Sequence, residues 1–103
     1  MDREYVIKVA KKYAEEVVQN LPVKSIILYG SYANDTAGDY SDIDIAVLFD
    51  YLADDYLETA AKLYRLRRDI ELRIEPKLLI DDGSDKSGFI EEVKSTGYSV
   101  YPM

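Results

Sequence analysis

The sequence contains no cysteine and no histidine, and these two absences exclude several kinds of active site. Without cysteine there is no disulfide framework and no thiolate metal site, which favours a cytoplasmic protein. Without histidine there is no imidazole base, no serine–histidine triad and no histidine-ligated zinc. Any catalysis or metal binding must therefore use carboxylates, hydroxyls, amines and backbone groups.

Long apolar runs and linkers rich in proline, glycine or serine are also lacking. No stretch approaches the length that crosses a bilayer, and the first residues do not resemble a signal peptide, so we expect no membrane association. The length of 103 residues leaves room for one modest core. We therefore expect a single domain over residues 1–103.

Acidic residues outnumber basic ones, 20 against 13, and give a net charge of −7. Such a chain repels a nucleic acid backbone unless its basic residues gather on one face, so direct binding of DNA or RNA is not expected. A surface dense in carboxylates suits a metal cation instead.

Hydrophobic periodicity predicts helices and strands in mixed order. Helices are expected over 2–20, from 54 or 55 to about 68, and from about 89 until Gly97, and strands over 24–29, 42–49, 70–78 and 98–101. The second helix is expected to face the core with Leu57, Ala60, Ala61 and Tyr64. Pro76 indicates that the third strand frays or lies at a sheet edge. This order predicts an α/β (α+β) fold, a small mixed β-sheet covered by helices.

Two short motifs follow one another where chemistry is expected. Gly30 directly follows the first strand, so the backbone can turn sharply and approach a ligand. The Ser31 hydroxyl and the free amides of the turn that it begins suit phosphate oxygens. Asp42 and Asp44 lie two apart on the next strand, so both carboxylates project from one face and can share a cation. Ligands of this kind prefer magnesium or manganese.

Each motif alone is common, because a Gly-Ser pair is usually a turn and Asp-x-Asp is often a solvated strand edge. Their juxtaposition favours a site. The face that carries Asp42 and Asp44 also includes Ala46 and Leu48, where an unpaired charge is costly to bury without a cation. Tyr32 and Tyr40 flank this site, and stacking on a base is one role open to them.

At Gly30-Ser31-Tyr32-Ala33 and Ser41-Asp42-Ile43-Asp44 the sequence resembles the nucleotidyltransferase superfamily shared with DNA polymerase beta and kanamycin nucleotidyltransferase. It looks most like the stand-alone minimal nucleotidyltransferases, the MNT proteins. The resemblance implies the nucleotidyltransferase fold and transfer of a nucleoside monophosphate from a triphosphate, with two metal ions held by three carboxylates. It also implies that the nucleotide is bound by Gly30, Ser31, Tyr32 and Ser41.

The resemblance assigns catalytic and metal-binding roles to Asp42, Asp44 and a third carboxylate on a later paired strand. We predict Glu71 for the third position, where it would orient or deprotonate the nucleophile, and keep Glu75 as the alternative. Family members usually carry aspartate there. Residues 34–35 (Asn-Asp) also differ from relatives, which often have a basic residue and a glycine, and this difference would weaken triphosphate binding.

Stand-alone MNT proteins are commonly paired with helical HEPN proteins in toxin–antitoxin modules. The resemblance therefore implies an antitoxin that uses ATP and Mg²⁺ (or Mn²⁺) to transfer AMP onto a tyrosine of a HEPN-type toxin. A catalytically silent MNT module that neutralises its partner by contact is the alternative. A third possibility, transfer to a small molecule such as an aminoglycoside, lacks chain length for a substrate domain.

Overall fold

A computed structural model describes residues 2–33, 37–38 and 41–102, which form a four-stranded sheet with three helices. The elements in chain order are α1 (Arg3–Asn20), β1 (Ser25–Tyr29), a 3-10 turn (Gly30–Tyr32), β2 (Ile43–Phe49), α2 (Tyr56–Leu66), β3 (Ile74–Ile80), α3 (Phe89–Thr96) and β4 (Tyr98–Tyr101). The predicted mixed sheet covered by helices is thereby confirmed.

The long helix α1 is held at its start and along one side. The Asp2 side chain accepts a hydrogen bond from the Tyr5 backbone amide at 2.8 Å and caps the helix N-terminus. Apolar residues at helical spacing form a buried stripe: Val6, Val9, Ala10, Tyr13, Ala14 and Val17. The buried Tyr13 hydroxyl donates to the Leu63 carbonyl at 2.7 Å, which joins α1 to α2.

The sheet has the strand order β3-β2-β1-β4. β1 runs antiparallel to both β2 and β4, whereas β2 and β3 are parallel and are connected through α2. The β2–β3 register places Asp44 opposite Glu75 and Ile45 opposite Pro76. β3 is an edge strand, where a residue without an amide hydrogen is tolerated, so the prediction from Pro76 is confirmed.

Because side chains alternate along a strand, the sheet has two different faces. The face that α1 and α2 cover, called here the packed face, carries the main core, including Ile26, Leu28, Ile43, Ile45 and Val47. The opposite face, called here the site face, carries a smaller cluster of Ile27, Ala46 and Leu48 beneath Ile90 and Val93 of α3. Asp44 and Glu75 also belong to the site face by strand alternation.

The inward side of α2 differs from the prediction. Of the four residues predicted to face the core, Ala60 packs against it, whereas Leu57 (74%), Ala61 and Tyr64 (39%) are exposed. Thr59 and Leu63 are buried instead. Thr59 can be buried because its hydroxyl donates within the helix to the Asp55 carbonyl at 2.9 Å. The helix is thus rotated relative to the side that the apolar residues alone indicated.

β3 begins at Ile74 and not at residue 70. The backbone amides of Ile70 and Glu71 both donate to the Arg67 carbonyl at 3.0 Å, so this stretch turns instead of extending. The Arg67 side chain also donates to the carbonyls of Leu72 and Ile74 and fixes the entry into the strand. Among the helices of the described ranges, none is both long and apolar enough to span a bilayer.

Candidate functional site

The turn after β1 lies directly against the first residues of β2. Gly30 has φ +75°, a conformation that side chains disfavour, and a Cβ added there would lie 2.5 Å from Asp44 Oδ2. The Ala33 amide donates to the Gly30 carbonyl at 3.1 Å and closes the turn. Only glycine therefore allows the Gly30–Tyr32 turn, which contains Ser31, to contact the Asp44 carboxylate.

Asp42 and Asp44 lie at the start of β2, Asp42 exposed and Asp44 half-buried. In the register of the sheet, Asp44 lies between Tyr29 of β1 and Glu75 of β3. Burial raises the pKa of the Asp44 carboxyl above its usual range, and the charges of Asp42 and Glu75 raise it further. The ionised form of Asp44 is thus disfavoured by its surroundings, as expected where a cation is to be bound.

The two candidates for the third carboxylate, Glu71 and Glu75, lie in different places. Glu75 is paired with Asp44 across the β2–β3 ladder. Glu71 lies in the turn before β3, where its carboxylate accepts hydrogen bonds from the Arg73 amide at 2.9 Å and the Tyr5 hydroxyl at 3.3 Å. The sheet therefore brings Glu75, and not Glu71, into register with Asp44.

Two tyrosines adjoin this acidic cluster. The Tyr64 hydroxyl donates to Glu75 Oε1 at 2.8 Å, and this hydrogen bond is the main cause that raises the pKa of Tyr64. Burial, with the charges of Asp44 and Glu75, raises the pKa of Tyr29 to about 12. Both hydroxyls therefore remain protonated at neutral pH. Residue spacing could not identify Tyr64 as part of the site, because its contact is made across elements.

The other predicted site residues have varied placements. Tyr32 is 3% exposed and lies in the main core, so its placement favours a packing role over stacking on a base. The Ser41 hydroxyl accepts a hydrogen bond from the Gly38 amide at 2.9 Å, and this contact ties the residue before Asp42 to Gly38. Tyr40 and residues 34–35 lie outside the described residues.

The donor set suits a hard divalent cation. Within residues 2–33, 37–38 and 41–102, no three acidic side chains form a ready-made metal cluster. Even so, Asp42, Asp44 and Glu75 supply only carboxylate oxygens, the ligands that Mg²⁺ and Mn²⁺ prefer. Since every cause that shifts the Asp44 pKa raises it, a bound cation would relieve an unfavourable concentration of negative charge.

The fold is similar to that of solved structures of one class. A "putative nucleotidyltransferase" from Sulfolobus solfataricus superposes with a TM-score of 0.66 at 23% identity, over 94% of this chain and 80% of that one. At that identity the likeness shows the fold. The fold is therefore that of the nucleotidyltransferases.

Two further structures are similar at slightly higher identity. A mutant of the toxin–antitoxin MntA–HpeT matches with a TM-score of 0.60 and 27% identity, over 91% of this chain and 73% of that one. A toxin–antitoxin with AMP-PNP matches with a TM-score of 0.57 and 26% identity, over 100% of this chain and 75% of that one.

The chain belongs to the nucleotidyltransferase domain family, whose characteristic sequence matches residues 10–97. A relative from Methanocaldococcus jannaschii, named "Putative protein adenylyltransferase", is 43% identical over 51 residues, which are 50% of this chain. The aligned part spans 58% of that relative's length. The predicted membership of the nucleotidyltransferase family is thereby confirmed.

Proposed function

We propose that the chain transfers AMP from ATP to a tyrosine hydroxyl of a HEPN-type toxin and so acts as an antitoxin. The observation that carries the proposal is the contact of the Gly30 turn with Asp44, together with the pairing of Asp44 and Glu75. The relative named as a protein adenylyltransferase supports a protein acceptor. The similar toxin–antitoxin structures, one with AMP-PNP, support a toxin partner and an adenine nucleotide.

In this proposal Asp42, Asp44 and Glu75 hold Mg²⁺ or Mn²⁺. We place Glu75 ahead of Glu71 because Glu75 lies beside Asp44 in the sheet, whereas Glu71 already accepts two hydrogen bonds in the preceding turn. Divalent cations bound there would neutralise triphosphate charge and make the acceptor hydroxyl more acidic. Glutamate at the third position reaches further from β3 than aspartate would.

The Gly30–Tyr32 turn supplies the proposed triphosphate contacts. The Ser31 hydroxyl and neighbouring amides would donate to phosphate oxygens, while the buried Tyr32 ring anchors the turn in the core. Ser41, which is hydrogen-bonded to Gly38, would contribute indirectly as the residue next to Asp42. The oxygen of the acceptor hydroxyl would bond to the α-phosphorus of ATP as pyrophosphate leaves, and Glu75 would accept the proton of that hydroxyl.

In-line transfer needs an acceptor held opposite the leaving pyrophosphate, and such positioning supplies a large part of the rate. A partner protein bound beside the site would provide it. The net charge of −7 favours a basic partner, because opposite charges speed encounter at low salt.

A second candidate function is neutralisation of the toxin by contact without transfer. One feature of the sequence favours neutralisation by contact. Residues 34–35 are Asn and Asp, whereas the resemblance implies that relatives often have a basic residue and a glycine there. The loss of that positive charge would weaken triphosphate binding and leave a binding module.

The test is co-expression with the product of the neighbouring gene, followed by intact mass measurement of that product. We expect added AMP with the wild-type chain and none with Asp42→Asn combined with Asp44→Asn. The matched control combines Asp54→Asn with Asp69→Asn, which removes the same charge from exposed positions away from the site and should leave the AMP in place.

If the partner is bound and inhibited but carries no AMP, neutralisation by contact would be the correct function and AMP transfer would be wrong. Absence of any complex would contradict both candidate functions. Modification that persists in the Asp42 and Asp44 double variant would place the active site elsewhere.

A further inference from the structure

The Glu75 carboxylate is exposed on an edge strand, yet one of its oxygens is held. The Tyr64 hydroxyl of α2 donates to Glu75 Oε1 at 2.8 Å. A glutamate side chain without such a contact loses considerable rotamer freedom when it is fixed on a ligand. A hydrogen bond to Oε1 removes part of that freedom beforehand and leaves Oε2 for a cation.

Tyr64 is itself fixed to the strand that carries Glu75. The Arg67 guanidinium carbon lies 5.1 Å from the centroid of the Tyr64 ring, in the range of a cation–π contact. The same guanidinium donates to the carbonyls of Leu72 and Ile74, the latter at 3.4 Å. Since Ile74 immediately precedes Glu75, the contacts run from β3 through Arg67 and Tyr64 and return to β3.

The ring of Tyr64 is 39% exposed, while the adjacent Leu63 is buried in the core. Leu63, with Thr59, Ala60 and Leu66, therefore packs α2 against the core, and the hydroxyl of Tyr64 makes a specific contact. A tyrosine kept only for packing would have no need to direct its hydroxyl at a carboxylate.

We propose that Tyr64 is a positioning residue, whose hydroxyl holds the Glu75 carboxylate beside Asp44 while Arg67 fixes Tyr64 to the start of β3. This inference rests on the proposed role of Glu75. It extends that role by making α2, which carries none of the three carboxylates, part of the site.

The first experiment compares Tyr64→Phe with Tyr56→Phe, a matched loss of one hydroxyl at the exposed start of the same helix. Mn²⁺ is titrated into each purified chain, and the free ion is followed by electron paramagnetic resonance. We expect Tyr64→Phe to weaken Mn²⁺ binding about tenfold, the size typical when a partner of a metal ligand is removed. Tyr56→Phe should bind Mn²⁺ as the wild type does.

Kinetics with the partner protein provide a second readout. Tyr64→Phe should lower kcat about tenfold even at saturating Mn²⁺ and ATP, because Glu75 would also accept the proton of the attacking hydroxyl. Equal melting temperatures of the metal-free chains would show that the fold is intact.

A double-mutant cycle with Glu75→Gln separates the inference from the proposed function. If Tyr64 acts through Glu75, adding Tyr64→Phe to Glu75→Gln should change Mn²⁺ binding no further. If Glu75→Gln weakens binding but Tyr64→Phe does not, the positioning role alone is wrong. If Glu75→Gln has no effect, the third carboxylate is misassigned and the inference fails with it. Tighter Mn²⁺ binding in Tyr64→Phe, or AMP found on Tyr64, would also overturn it.

Discussion

The packed face and the site face of one sheet differ in what covers them. Two helices lie over the packed face, and Tyr13 and Leu63 link them by a buried hydrogen bond. A single short helix, α3, covers the apolar part of the site face and leaves Asp44 and Glu75 beside each other. Since the packed face buries the larger apolar cluster, we expect it to provide most of the stability, which allows the site face to carry unfavourable charge.

The largest expected loss in the free energy of unfolding is found by comparing two neighbouring isoleucines of β1 that point to opposite faces. Ile26→Ala, on the packed face, should lower the free energy of unfolding by about 4 kcal/mol, because a fully buried side chain leaves a cavity between sheet and helices. Ile27→Ala, beneath α3, should cost about 2 kcal/mol, because a short helix can settle into the space. Urea denaturation measures both. Equal losses would show that the two faces contribute alike.

A smaller effect is expected at the turn of the site. Gly30→Ala should cost about 2 to 3 kcal/mol, since it combines a disfavoured backbone conformation with a contact of its Cβ on Asp44. Gly83→Ala is the matched control, with φ +88° and nothing within 4 Å of the added Cβ, and should cost about 1 kcal/mol. The difference measures how closely the turn lies against Asp44. Identical losses would mean that the turn has room to move.

The smallest expected change is a gain, and not a loss, in the free energy of unfolding. With EDTA at neutral pH, Asp44→Asn should stabilise the chain by less than about 1 kcal/mol, because it removes a partly screened repulsion. The folded-state pKa of Asp44 is raised above 3.8, so the wild type loses stability as pH rises from about that value through the folded pKa. Below that window the wild type and Asp44→Asn should have equal stability.

Thermal melts between pH 3 and pH 8 measure this difference. Mg²⁺ with ATP should reverse the order at neutral pH, since a ligand that binds only the folded wild type stabilises it. An Asp44→Asn variant that is less stable than the wild type in EDTA would show that Asp44 contributes to the fold and not to a strained site.

Much of the architecture could be predicted from the sequence because its signals are local. Gly97 and the apolar stripe of α1 indicated a helix end and a buried side without any knowledge of the partners. Alternation in β2 correctly assigned Ile43 and Ile45 to one face and Asp44 to the other. Capping, turn and alternation preferences depend on a few neighbouring residues, so they can be read before the chain is folded.

Local sequence patterns could not decide which glutamate lies beside Asp44. Glu71 and Glu75 have the same parity, so a strand drawn from residue 70 places both on one face. The turn held by Arg67 delays the start of β3 until Ile74, and the parallel register then pairs Glu75 with Asp44. The placement of Tyr32 is a similar case, since only the folded core shows that its ring is buried.

The order of elements, the glycine turn and the paired aspartates could be predicted because each depends on residues that are close along the chain. The partner of Asp44, the rotation of α2 and the contact of Tyr64 with Glu75 became visible only in the folded chain. These features depend on how far one element slides or turns against another. Several registers share the same periodicity, and only the packing of the whole core selects one of them.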